Sequence, residues 1–590
     1  MKASLSSSLR RNFVVLIALW LTLITSALAG MHPTHARKAM VVSVHSLATD
    51  AGVEMMRQGG NAIDAAVATG FALAVVHPQA GNIGGGGFML IRMADGKLHF
   101  LDYREKAPAA ATVDMYWDKQ GNLIPDLSTL GYKAIGVPGS VAGMATAEKK
   151  WGKLGLQKVM APAIRLARNG FPIPWEYVRS FQSKRLTEFP ESRRIFQRDG
   201  NFYQAGEVFK QPELARTLER IAADPENFYH GELAKQIAAA IQKGGGIVTA
   251  QDLANYQVKE REAVHGTYRG YDVYSAPPPS SGGVALIEIL NMLEKFDLPS
   301  LGGGSAEAMH LTIEAYRRAF MDRADFMGDP DFAKVPVAQL IDKKYANSWR
   351  ESINPGRASI SKDLRRPAGT FNELDKVAKA AAPESTETTH YSVVDQEGNA
   401  VSVTTTLNGT FGAKVMAGSL GFLLNNEMDD FAAKVGVPNM YGLIQGPANA
   451  VGANKRPLSA MTPTIVTKDD KLFLVLGSPG GPTIITTVAN VLMGVIDYGL
   501  DIQEAVDSPR FHNQWLPDRT AIEGNRFSPD TLKLLQQKGQ ILHVGDPSSE
   551  KPDRDPDWGD AECIMIDPKT GERLGGHDER RSSYGKAAGF

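Results

Sequence analysis

Thr388 heads the run Thr388-Thr389-His390-Tyr391-Ser392-Val393-Val394-Asp395, directly after small and charged residues that extend from about 365 to 387. Such a stretch has almost nothing to bury and tolerates cutting. A threonine at a cleavable junction has a chemical use. If the bond between Glu387 and Thr388 breaks, Thr388 carries both a hydroxyl nucleophile and an α-amine whose pKa, about 8, suits a general base near neutral pH. One residue then supplies nucleophile and base, and the chemistry is acyl transfer. A β-branched pair that merely opens a strand accounts for the same residues, so the segment by itself leaves both readings open.

Other catalytic patterns are missing. There is no GxSxG elbow, which argues against an α/β-hydrolase. The twelve histidines contain no HExxH, and His32 and His35 are expected in a flexible terminus rather than on a metal. No metal and no cofactor is expected. Strand alternation puts His390 on the same face as Thr388, yet an α-amine base makes it dispensable, and it is assigned no catalytic role. The single cysteine, Cys563, excludes an intramolecular disulfide and is expected to pack beside Ile564 and Ile566. The glycine run 84–87 does not fit the dinucleotide fingerprint and is expected to serve close backbone packing.

The elements that must position Thr388 are legible in outline. Tyr391 and Val393, a turn at Gln396-Glu397-Gly398-Asn399, then Val401, Val403 and Thr405 read as a β-hairpin. A second hairpin is expected from 464–467 and 472–476 around Asp469-Asp470, with Pro463 at its start. A helix should begin at Ser305, with Met309, Ile313, Tyr316 and Phe320 on one face, and end by Gly328. Helix and strand signals interleave along both halves without a linker or repeat, so one composite body is expected.

Composition speaks to compartment and partners. Lys2, Arg10 and Arg11, the apolar run from Phe13 to Ile24, and Ala27-Leu28-Ala29 read as a secretory signal peptide over residues 1–29. The apolar run is shorter than the roughly 20 residues a spanning helix needs, so a periplasmic or secreted protein without a membrane span is expected. With 64 basic and 65 acidic residues, nothing argues for nucleic acid or an anionic membrane.

From Thr388 onward the chain resembles the small subunit of gamma-glutamyltranspeptidases, which are N-terminal nucleophile hydrolases. The blocks are TTHYSVVD at Thr388, TLNGTFG at Thr406, LLNNEMDDF at Leu423, PNMYGL at Pro438, NKRPLSAMTPTIV at Asn454 and GSPGG at Gly477. Before it, QGGNAIDAAVA at Gln58, HPQAGNIGGGGFM at His77 and LDYREKAP at Leu101 match as well. The resemblance implies an α+β fold, the four-layer αββα sandwich, built from a large fragment (30–387) and a small catalytic fragment (388–590). It implies a self-processing enzyme whose two fragments stay together as a heterodimer. Such an enzyme moves a γ-glutamyl group from glutathione or another γ-glutamyl compound to water, an amino acid or a peptide.

A γ-glutamyl donor carries an α-carboxylate, an α-ammonium and a distal reactive carbonyl. The resemblance places Arg104 on the carboxylate, where a guanidinium can grip with two parallel hydrogen bonds. It places Glu427 and Asp430 on the ammonium, and Asn408 as a polar contact. Thr406 is expected to orient Thr388, and the amides of Gly480 and Gly481 to trap the oxyanion. Tyr441 is expected at the tip of a lid. Ser459 is carried over as a carboxylate contact, but Ala460 stands where the family often has a second serine. A glutaryl acylase of the same fold is the alternative enzyme, and a non-catalytic γ-glutamyl peptide binder the alternative outside catalysis.

Overall fold

The computed structural model describes residues 32–368, 388–437, 439, 443, 445–545, 558–581 and 584–590. The expected signal peptide, Glu387 and Tyr441 lie outside them.

Two seven-stranded sheets dominate. The first runs, in spatial order, Lys586–Gly589, Met40–Ser43, Thr388–Val394, Ala400–Thr406, Gly86–Arg92, Leu98–Asp102 and Lys259–Arg261. The second runs Thr34–Ala36, Arg573–His577, Glu562–Ile566, Lys471–Leu476, Thr464–Lys468, Tyr271–Ser275 and Val264–Tyr268. All pairings within the two sheets are antiparallel. Each sheet takes strands from both sides of position 388, so the expected composite body is observed.

Three apolar cores separate four layers. Met40, Val42, Phe88, Leu90, Ile465, Val475 and Ile564 fill the space between the sheets. Tyr391, Val393, Val401 and Val403 point the other way, into a core shared with the helix Ala62–Val76. Val466 and Leu474 face a third core, built with the helices Gly282–Leu293, Ala306–Phe326 and Thr483–Ile496. This is the αββα sandwich. The strict alternation decides Thr388's surroundings, because Thr388, His390, Ser392 and Val394 all fall on the inter-sheet face.

Local chemistry fixes these elements. The hairpin 388–406 turns at Asp395, whose Oδ1 accepts from the amides of Glu397 (2.9 Å) and Asn399 (3.0 Å), with Gly398 at φ 90°. Its Oδ2 accepts from the Ala62 amide at 2.9 Å, so a carboxylate at the strand's end meets a helix N-terminus. Asn61 and Asp64 close that helix start with a capping box. The second hairpin forms as expected, its two-residue turn holding Asp469 and Asp470 at φ 50° and 59°, the left-handed geometry such turns need. The predicted helix spans Ala306–Phe326, with the Ser305 hydroxyl accepting from the Ala308 amide at 3.1 Å.

Close approach explains the glycines. A Cβ on Gly85 would lie 2.1 Å from the Thr406 carbonyl oxygen, and one on Gly87 2.5 Å from that of Thr404. The expected packing role of 84–87 is therefore to let two strands meet. Cys563 is buried in the third core, also as expected. The expectation for His35 is corrected: it sits in Thr34–Ala36, paired with Arg573–Gly575, and its Nδ1 is 3.1 Å from Glu572 Oε2. Backbone pairing with a sheet edge holds this segment, a contact no local pattern reveals. Among the described residues no helix is long and apolar enough to cross a membrane.

Gly477 is the tightest support beneath Thr388's strand, because its Cβ would fall 2.2 Å from His390 Cε1. We expect Gly477→Ala to destabilise the fold by about 1–3 kcal/mol through overpacking, measured as a lowered urea midpoint. An unchanged midpoint would show that the sheets can move apart there.

Candidate active site

Antiparallel register sets Thr388 opposite Thr406. Their side chains share one face, and Thr388 Oγ1 donates to Thr406 Oγ1 at 3.2 Å. Thr406 Oγ1 accepts in turn from the Asn408 amide at 2.8 Å. Asn408 sits at φ 74°, a conformation Asn tolerates better than most residues, which turns the chain out of the strand. Its Nδ2 then donates to the Asn426 carbonyl at 3.0 Å, and Asn426 Oδ1 accepts from the Gly409 amide at 2.8 Å. These bonds tie the strand end carrying Thr406 to the acidic turn Glu427–Asp430.

A pocket opens at this junction, with about 360 Å³ not filled by atoms, part of it open to solvent. Thr388, Thr406, Asn408, Arg104, Glu427, Asp430, Ser459 and Gly481 all line it. Eight separately placed sequence expectations thus converge on one cavity.

Arg104 is fully buried. It follows the strand Leu98–Asp102, where its amide donates to Asp102 Oδ1 at 3.0 Å and its carbonyl accepts from Tyr256 OH at 2.9 Å. Its guanidinium reaches Glu427 through Nη1 and Asp430 through Nη2. Nε donates to the Pro457 carbonyl at 3.2 Å and Nη2 also to that of Leu458 at 3.1 Å. Glu105 Oε2 lies 3.7 Å from Nη1. Three carboxyl groups therefore surround one guanidinium away from water. Burial pushes the carboxyls of Glu105, Glu427 and Asp430 up, and Arg104 pulls each back. The negative charge of Glu105 also pushes Glu427 up, because two neighbouring carboxyls resist holding two negative charges at once.

Gly480 and Gly481 join the strand Lys471–Leu476 to the helix Thr483–Ile496, at φ 131° and 56°. Glycine alone adopts such backbone without strain. The Gly480 carbonyl accepts from Thr483 Oγ1 at 2.8 Å, while the amides of Gly480 and Gly481 make no hydrogen bond among the described residues. The Asp560 amide donates to Ser478 Oγ at 3.1 Å and steadies the same loop. Ser459 Oγ accepts from the Met461 amide at 3.0 Å, and its carbonyl accepts from Ser281 Oγ at 2.7 Å. Ala460 lies beside it on the pocket wall.

His390 is buried between hydroxyls, with Nδ1 2.9 Å from Thr404 Oγ1 and Nε2 3.2 Å from Ser392 Oγ. Burial pulls its pKa down to about 3, so it stays neutral inside the sandwich. Sequence reasoning missed Arg323 and Glu105. Arg323 comes from the last turn of Ala306–Phe326 and lines the pocket. The signal was a third arginine on a helix whose apolar face alone was read. Glu105 follows Arg104 directly in a stretch with no local sign of burial, yet it is completely buried.

A hydroxyl at the head of a central strand, facing a charged pocket within an αββα sandwich, defines a hydrolase of the N-terminal nucleophile class. The chain matches the gamma-glutamyltranspeptidase family over residues 48–588. It is 51% identical to the glutathione hydrolase proenzyme of Pseudomonas sp. (strain A14), covering 90% of this chain and 92% of that one. It is 49% identical to the glutathione hydrolase proenzyme of Escherichia coli (strain K12), covering 93% and 91%. The solved structure of a cephalosporin acylase from Bacillus halodurans superposes with a TM-score of 0.80 at 29% identity, covering 96% of this chain and 98% of that one. The chain belongs to the gamma-glutamyltranspeptidase family.

Burial raises Glu105 from an ordinary 4.5 to about 7. A carboxyl that takes up its proton more readily folded than unfolded contributes stability below about pH 4.5, which is lost as pH rises towards 7. We therefore expect the urea midpoint of the parent protein to fall more over this window than that of Glu105→Gln. Parallel pH profiles for the two proteins would refute the role given to Glu105.

Proposed function

We propose that the chain is a self-processing γ-glutamyl hydrolase and transferase whose nucleophile is Thr388. The observation that carries this reading is the convergence of Thr388 and its partner Thr406 with Arg104, Glu427 and Asp430 on one pocket. In the precursor, Thr388 Oγ attacks the Glu387 carbonyl and the scissile C–N bond breaks as the C–O bond forms. That step releases the Thr388 amine, and water then hydrolyses the ester, freeing the Thr388 hydroxyl and the Glu387 carboxylate. That amine, with a pKa of about 8, accepts the hydroxyl proton in later cycles. Attack on the donor's δ-carbonyl places negative charge on its oxygen, and the amides of Gly480 and Gly481 stabilise it by about 3 kcal/mol for one such donor. Collapse expels the amine, cysteinylglycine in the case of glutathione, and leaves the γ-glutamyl ester on Thr388. Water or an amino group of an amino acid or peptide then takes the acyl group.

The two fragments, 30–387 and 388–590, remain a heterodimer, because separating them would tear both sheets and all three cores. The Pseudomonas and Escherichia relatives named as proenzymes support processing. Residues 1–29 act as the export signal, which places the enzyme in the periplasm or outside the cell. A glutaryl acylase is the second reading, favoured by the likeness to the Bacillus halodurans acylase and by Ala460. A glutaryl donor lacks the ammonium that Glu427 and Asp430 are placed to hold.

Denaturing electrophoresis and N-terminal sequencing test maturation. The purified protein should yield a smaller fragment beginning at Thr388 without added protease, and Thr388→Ala should remain one chain. Cleavage of that variant between 387 and 388 would overturn self-processing, and an uncleaved parent protein would favour the binder.

Kinetics with two anilides test the donor pocket. Asp430→Ala should lower kcat/KM for a γ-glutamyl anilide by about 2–5 kcal/mol, since it strands the ligand's ammonium, with little effect on a glutaryl anilide. Arg104→Ala should impair both. Glutaryl turnover exceeding γ-glutamyl turnover in the parent enzyme would establish the acylase instead.

A further inference from the structure

Arg323 stands in the same pocket as Thr388 and is only 2% exposed. Its Nε donates to Ser281 Oγ at 2.9 Å, and Ser281 Oγ donates to the Ser459 carbonyl at 2.7 Å. That relay orients the guanidinium. Its two Nη groups make no hydrogen bond to a described residue, and no described carboxylate forms an ion pair with it. Asp430 is near enough to act on it through space. Burial lowers the Arg323 pKa only to about 10, so the group is a cation at neutral pH.

The two pocket arginines are therefore in opposite situations. Every donor nitrogen of Arg104 is engaged, by Glu427, Asp430 and the carbonyls of Pro457 and Leu458. Arg323 has its fork unfilled. A buried cation without a counter-ion is costly, and an anionic ligand group in the pocket offsets that cost. The wall of the same pocket carries a methyl group at Ala460, so position 460 offers an anion no hydrogen bond of its own side chain. A guanidinium fork fits a carboxylate in two parallel bonds.

We propose that Arg323 is a second carboxylate-reading residue of the donor pocket, taking the contact that a hydroxyl at position 460 would otherwise share. The assignment rests on the γ-glutamyl reading above. It makes Arg323 a specificity-determining group that selects donors carrying a carboxylate beside the ammonium.

The test uses the processed full-length enzyme with two donors, γ-glutamyl anilide and 4-aminobutyryl anilide, which keeps the ammonium and lacks the carboxylate. Turnover of γ-glutamyl anilide by the parent enzyme comes first, since its absence would defeat the γ-glutamyl reading and not the role of Arg323. Given turnover, Arg323→Gln should raise KM for γ-glutamyl anilide by about tenfold or more. The affinity for 4-aminobutyryl anilide, read as a competitive inhibition constant, should change much less. Ala460→Ser should have little effect beside Arg323 but should lower KM several-fold in the Arg323→Gln background, a coupling that a merely structural role would not produce. Equal loss for both donors, or the same Ala460→Ser effect in both backgrounds, would overturn the proposal. If Arg323→Gln fails to process, Arg323→Lys, which keeps the charge without the fork, is read by the same two ratios. Ratios unchanged from the parent there would also overturn it.

Discussion

The cross-strand pairing of Thr388 with Thr406 is the constraint around which the site is built. Both residues stand at the open end of a hairpin, and register sends both side chains to the inter-sheet face. A slip by one residue would turn Thr388 into the helical core and bring Thr389 into its place. The structure guards against that slip at several points. Asp395 locks the turn and the helix start at Ala62, while Tyr391 and Val393 are held in the apolar core on the opposite face. Gly85 and Gly87 let the neighbouring strand close on the hairpin. The position of Thr388 is thus a property of two sheets and three cores.

Electrostatics supplies the second layer of the design. Two guanidinium groups and three carboxyl groups occupy a volume from which water is largely excluded. In such surroundings unequal charge is expensive, and the cluster pairs Arg104 with Glu427 and Asp430 while burial pushes the Glu105 and Glu427 carboxyls up. A zwitterionic ligand end, one carboxylate and one ammonium, leaves the balance of charge unchanged while exchanging internal partners for external ones. That is a physical reason for a pocket of this composition to favour amino acid ends over singly charged groups.

The helices contribute by their ends. Helix Thr483–Ile496 starts after Gly480, Gly481 and its N-cap Pro482, so the partial positive charge of its first turn lies at the pocket wall formed by Gly481, Pro482 and Ile484. Helix Ala306–Phe326 delivers Arg323 from its last turn, where a cation is favoured by the helix dipole. The sandwich thus presents two helix termini of opposite sign to one pocket.

Much of this was legible in the sequence. The hairpins at 388–406 and 464–476, the helix from Ser305 and the packing glycines follow from alternation, turn chemistry and capping, all of which act over a few residues. Family motifs carried Thr388, Arg104, Asn408, Glu427, Asp430 and Ser459 as separate expectations. Tertiary structure alone decided how the charges divide. Arg104 and Glu427 are 323 positions apart in the chain, and Ser281 and Ser459, which orient Arg323, are 178 apart. Whether a guanidinium is filled or open depends on which carboxyls burial brings within reach, and no local pattern encodes that. The same holds for His35, which reads as a loose terminus until a distant strand pairs with it, and for Glu105, whose burial beside Arg104 no neighbouring residue signals.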